Sequence, residues 1–292
     1  MEQYFNHFTA GWQSLLQQIT HPGWGNFFWL LVTASVIVFA LELLFPWRRQ
    51  QRVNRPELGQ DIFYMFFNMF LFPLLGYATL SAVVANGVEQ ATFVQGVRGI
   101  ISLQALPGYA QVILLFLIRD FLQWNIHVIL HRVPFLWKLH EVHHSSEVMS
   151  FPVHLRYHWA ENIIYRVPEY SVFLLIGSNA ADVFIIYAVS LTIGHLNHAN
   201  LRLPWGFLKY IFNTSELHLW HHAKKLPSRY GVNYAISLSL WDWIFRTAYN
   251  PAQPPEQIGL ANEPLFPGSF WRQLVWPLRP ARKTEGHVTL KP

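Results

Sequence analysis

Histidines at 127 and 131, at 140, 143 and 144, and at 218, 221 and 222 are the residues of this chain whose types and spacing best suit chemistry. The first pair is four apart. The stretches "LHEVHH" at 139–144 and "LHLWHH" at 217–222 each put rings at relative positions 0, 3 and 4. Residues three and four apart share one face of a helix, so each group turns its imidazoles toward one point. Of the 15 histidines, 12 fall between His127 and His222. Eight converging imidazoles exceed the roughly four ligands a tetrahedral zinc site takes, so two metal ions are expected. Neutral imidazole suits iron, zinc and copper alike. It leaves the full positive charge on the ions, which favours the binding of reduced oxygen species and hence dioxygen chemistry.

The elements that must carry these rings belong to a membrane protein. Hydrophobic residues make up 52% of the 292, charged residues 13% and aromatic residues 16%, too few polar groups for a soluble surface. Apolar runs at 27–45, 62–86 and 109–130 approach or exceed the roughly 20 residues of a spanning helix, with Pro73 as an expected kink in the second. The third carries Arg119, Asp120 and His127; such groups mark function unless the first two simply satisfy each other. No Lys or Arg precedes residue 46, so a cleavable leader is not expected. The four arginines of "PWRRQQRVNRPE" place the end of the first span in the cytoplasm, and counting spans brings His127 and His131 back to that face. Two apolar arms, 167–177 and 183–196, are each short for a crossing and read as a hairpin that keeps His198 on the same side. The fold class expected is all-α, a polytopic membrane helix bundle. Its parts are N-terminal spans over 1–108, a catalytic region over 109–250 and a C-terminal tail over 251–292.

With no cysteine, disulfides and thiolate-held clusters are excluded. A net charge of +5 could suit nucleic acid, but the basic residues flank apolar spans, so lipid headgroups are the expected partner and nucleic acid is not.

"RDFLQWNIHVILHRVPFLWKLHEVHHSSE" at 119–147, "LRYH" at 155–158, "HLNHANLRLP" at 195–204, "TSELHLWHH" at 214–222 and "NYAISLSLWDWIFRT" at 233–247 together resemble the fatty acid hydroxylase and sterol desaturase superfamily. The resemblance implies a cytosolic cap of histidine-bearing helices over the bundle. It implies two irons held by His127, His131, His140, His143, His144, His218, His221 and His222. Further ligands are expected from His195 and His198, with His198 favoured. Arg156 and His158 match an Arg-x-His element and are expected beside the ligands or the substrate. The implied reaction inserts one oxygen atom of dioxygen into an unactivated C–H bond of a lipid, desaturation being the alternative outcome of the same hydrogen abstraction. Asp120, Glu147, Glu216 and Asp242 are candidates to hold ligand N–H groups. Since no nucleotide-binding GxGxxG loop is present, a separate electron donor is implied. A zinc hydrolase is a competing reading, with Glu141 as its base.

Overall fold

The structure, a computed structural model, describes residues 2–55, 57–76, 102–103, 105–261 and 266–276. Regular structure among them is helical: α1 (Glu2–Thr20), α2 (Phe27–Leu44), α3 (Leu58–Phe66), α4 (Gly108–Arg132), α5 (Pro134–His144), α6 (Trp159–Ile176), α7 (Ala180–His198), α8 (Ser215–His221), α9 (Leu240–Ile244) and α10 (Phe270–Gln273). Four helical stretches are long and apolar enough to cross a membrane: Phe27–Leu44, Leu58–Gly76, Gly108–Arg132 and Ala180–His198.

The first expected span is α2. It starts where the Asn26 side chain accepts from Trp29 N, and it stops before Pro46, which cannot continue a helix. The second span contains Pro73, and the helix runs through it to Gly76. A single π turn at Phe67–Leu71, just before the proline, supplies the wider winding that a missing N–H and a bulky ring require. Its expected extension over 77–86 lies outside the described residues, as does the tail segment 279–292.

The hairpin reading needs correcting in one respect. Its legs are not short: α6 has 18 residues and α7 has 19. α6 begins eight residues earlier than its apolar arm, in a turn whose Glu161 finds a partner in His140, and the polar Glu169, Ser190 and His195 further along the legs are partnered inside the bundle as well. Gly177, at φ 71, supplies the left-handed residue that ends α6, and Asn179 caps α7. Both legs pack on α4, with Leu115, Phe173, Ile176 and Ile186 in one buried cluster.

One end of the bundle collects the chemistry. Glu42, near the end of α2, accepts from Asn200 N (2.7 Å), Phe151 N (3.0 Å) and Ser150 Oγ (3.0 Å). Arg156 Nη1 donates to Asp61 of α3 at 2.8 Å. These bonds tie the ends of α2 and α3 to the segments around the histidines. The C-terminal region is docked too: Phe270 meets Phe63, Tyr64 and Phe67 edge-on at 4.7–5.0 Å, and Gln273 Oε1 accepts from Tyr64 Oη.

Candidate metal centre

Nine buried histidines gather in two groups. His127, His131, His140, His144 and His221 form one; His143, His198, His218 and His222 form the other. Within each group the candidate donor nitrogens all lie within 4.8 Å of one another. The two consecutive rings of α5, His143 and His144, divide between the groups. His144 and His222, stacked at 4.4 Å, join them across the boundary.

The helices favour cations here. His131 lies in the last turn of α4, His143 and His144 in that of α5, His198 in that of α7, and His218 and His221 in that of α8. Four helix C-termini therefore face the same volume, and each carries partial negative charge on its unsatisfied carbonyls.

Ring orientation comes from the second nitrogen. Nδ1 of His127 donates to Tyr234 O (2.6 Å), of His131 to Tyr230 O (3.1 Å), of His221 to Val232 O (2.9 Å), of His143 to Arg156 O (3.1 Å) and of His198 to Gly194 O (2.8 Å). His140 Nδ1 meets Glu161 Oε2 at 2.8 Å. A neutral ring whose Nδ1 carries the proton has a bare lone pair on Nε2. Yet Nε2 of His127 and His140 approach to 3.0 Å, and those of His143 and His198 to 3.3 Å. Lone pairs so close repel unless a cation lies among them. Nε2 of His131, His144 and His221 are likewise buried without a partner. The residues present thus fit metal ions well. Burial pushes His143 down to about 4, and burial with neighbouring rings holds His140, His144, His218, His221 and His222 well below the usual imidazole range. Neutral imidazole is the form that binds metal.

The family model described as fatty acid hydroxylase matches residues 112–247, the stretch that bears all nine rings. Over that stretch the chain is similar to the fatty acid hydroxylase family. It is 28% identical over 274 residues to an ornithine lipid hydroxylase of Rhizobium tropici, covering 90% of this chain and 78% of that one. It is 28% identical over 151 residues to an alkylglycerol monooxygenase of Caenorhabditis elegans, covering 51% of this chain and 29% of the relative. It is 24% identical over 140 residues to a methylsterol monooxygenase of Arabidopsis thaliana, covering 47% and 46%. The chain therefore spans less than a third of the alkylglycerol enzyme and under half of the methylsterol enzyme. No solved structure matches.

In this chain the eight motif histidines and His198 come together, and His195 does not join them. His195 turns away, its Nδ1 at 3.0 Å from Nδ1 of His154 and its Nε2 at 3.2 Å from Ser35 Oγ. The four carboxylates read as partners of the imidazoles have other partners. Asp242 accepts from Tyr234 N and Ala235 N, and Asp120 from Ser237 N and Leu238 N. Both act one step back: they pin the irregular 230–238 segment whose carbonyls orient His127, His131 and His221. Glu216 pairs with Arg202 at 2.6 Å, and Glu147 lies 3.7 Å from Lys224 at the surface. A carboxylate that does meet an imidazole of the groups is Glu161, on His140 Nδ1, set in place by the N-terminal cap that His158 gives α6. Arg156 acts through its carbonyl on His143, while its guanidinium is held by Asp61 and Ser145.

A cavity opens from the rings into the bundle. His127, His140, His143, His198 and His218 line one end; Arg119, Gln123, Glu169, Tyr187 and Ser190 line the wall further from the rings, and Phe27, Met69, Leu155 and Leu191 add apolar lining. Glu141 does not line it; its carboxylate accepts from Trp276 Nε1 at 2.7 Å.

Proposed function

We propose that this protein is a membrane-bound di-iron oxygenase that uses dioxygen to hydroxylate an unactivated C–H bond of a lipid. The observation that carries this reading is the pair of buried all-histidine groups opening on a cavity between membrane-crossing helices. The nine rings would hold two irons, one group each. When bound, the irons supply dioxygen activation and hydrogen abstraction. The chain's own residues do the rest. Carbonyls of Tyr230, Val232 and Tyr234 keep three rings in one tautomer, and Glu161 does so for His140. Phe27, Met69, Leu155 and Leu191 keep water from the reacting carbon and receive an alkyl chain.

The relatives are named for hydroxylation of an ornithine lipid and monooxygenation of an alkylglycerol and a methylsterol. That range supports a lipid substrate. The site faces the cytoplasm in this reading, since Arg48 and Arg49 follow the site-side end of α2, where Trp47 N donates to Asn200 O. Electrons then come from a separate cytosolic or membrane-borne donor. A zinc hydrolase is disfavoured because Glu141, the base that the HxxHH motif itself offers, is turned to Trp276.

Elemental analysis of the purified protein, paired with untargeted lipid mass spectrometry of cells with and without the gene, tests the reading. About two irons per chain and a lipid gaining one oxygen are expected. Zinc without iron, and no lipid shifted by one oxygen, would end it; a loss of two hydrogens would replace hydroxylation with desaturation.

A further inference from the structure

The cavity has a second polar floor. Arg119 on α4, Glu169 on α6 and Ser190 on α7 each lie eight residues, about 12 Å of helix rise, from His127, Glu161 and His198 on the same helices. All six line the cavity. Arg119 Nη1 donates to Ser190 Oγ at 2.6 Å, and its Nη2 lies 3.3 Å from Glu169 Oε1. Arg166 Nη1 lies 3.6 Å from the other Glu169 oxygen, which also accepts from Tyr187 Oη at 2.7 Å. The two guanidinium groups stand 4.6 and 4.4 Å from the centroid of the Tyr187 ring.

The charges on this floor do not cancel. Two guanidinium groups share one carboxylate, and Gln123 and Tyr187 already donate to that carboxylate. Asp120, next in sequence to Arg119, has both oxygens engaged by Ser237, Leu238 and Trp241. Glu161, the other cavity carboxylate, is engaged by His140 and His158 N on the upper floor. Arg119 is 4% exposed, and its Nε has no partner. An unbalanced cation inside a membrane bundle is costly unless an anion joins it. A carboxylate or a phosphate matches the planar guanidinium fork.

We propose that the Arg119–Arg166 wall binds the anionic group, carboxylate or phosphate, of the lipid that enters this cavity. The assignment rests on the lipid-oxygenase reading and narrows its substrate to anionic or zwitterionic amphiphiles. The anion anchors on the lower floor while the carbon to be oxidised lies toward the histidines. Gln123 Oε1, also buried without a partner, accepts an N–H or O–H of the same ligand.

The test is calorimetric titration of dodecanoate, dodecyl phosphate and dodecanol into the full-length metal-loaded protein in non-ionic detergent, against matched empty micelles. At least one of the two anions is expected to bind tenfold or more tighter than dodecanol, and the stronger of them identifies carboxylate or phosphate as the source. Arg119→Gln and Arg166→Gln are each expected to lose most of that preference while dodecanol binding moves less than twofold. Arg119→Lys, which keeps the charge, should recover part of it. Metal content measured on each variant reports an intact upper floor. Equal binding of dodecanol and both anions, or a preference that survives in both glutamine variants at full metal content, overturns the proposal. Binding is read without turnover, so selective anion binding by a protein devoid of iron would sink the oxygenase reading and leave this site standing.

Discussion

At the scale of single residues, the centre turns on which nitrogen of each ring is free. His198 and His195 sit three apart in the last turn of α7, close enough in azimuth that spacing alone cannot separate them. The fold does: His195 is spent on His154 and Ser35. His198→Ala is therefore expected to lower metal content from about two ions per chain toward one, and His195→Ala to leave it near two, by elemental analysis. Loss of metal in the His195 variant alone would reverse the assignment. Glu161→Gln replaces the carboxyl group that meets His140 Nδ1 with an amide, a weaker partner. Metal affinity measured by competition with a chelator should fall about 10- to 100-fold. The motif histidines were legible because ligands must be imidazoles and their period is helical. The groups that orient them were not, because most are backbone carbonyls, which no residue type announces. Asp120 and Asp242 stood out as candidate partners of ligand N–H groups, yet they hold amides of the 230–238 segment instead of imidazoles.

At the scale of helices, close approach of α7 to the 151–155 turn depends on Gly194. A Cβ there would run into the His154 ring. Gly194→Ala should cost about 1–3 kcal/mol, as overpacking does, seen as a lowered thermal midpoint. Gly59→Ala, at a helical position with open space, is the control and should be neutral or slightly stabilising. A second expectation concerns Glu42. Glu42→Ala strands three donors, from Asn200, Phe151 and Ser150, and should destabilise by about 2 kcal/mol or more, since unmade buried hydrogen bonds cost about 1–3 kcal/mol each. The spans at 27–45 and 109–130 were readable from length and apolarity. The extent of α6 was not: its first turns carry the polar Glu161, Asn162 and Arg166 ahead of the apolar arm, and Glu161 is at home there only because it meets His140. The π turn at Phe67–Leu71 left no trace in composition, although Pro73 marked its neighbourhood.

At the scale of the whole molecule, pH and topology are the handles. In the metal-free protein His143 sits at about 4, against about 6.5 in an unfolded chain. The other cap histidines are lowered with it. Below pH 6.5 the unfolded chain takes up protons that the fold refuses, so stability is full above about 6.5 and declines as pH falls toward 4. Thermal midpoints of the metal-free protein from pH 8 to 5 should trace that decline; a flat profile would mean the rings are solvated. Orientation can be read directly because the chain has no cysteine of its own. In intact cells an impermeant maleimide should label Trp24→Cys, in the exposed turn at the far end of α2, and spare Lys225→Cys near the rings. The reverse pattern would put the centre on the outer face. The two pockets also set a problem of supply. Nine imidazoles, with no oxygen or sulfur donor among them, discriminate poorly between divalent ions, and the Irving–Williams order ranks copper and zinc above ferrous iron. On the di-iron reading proposed above, correct loading is a matter of which ion the nascent chain meets as its helices close, and a cell rich in copper or starved of iron is expected to fill the same cradle with an inert passenger.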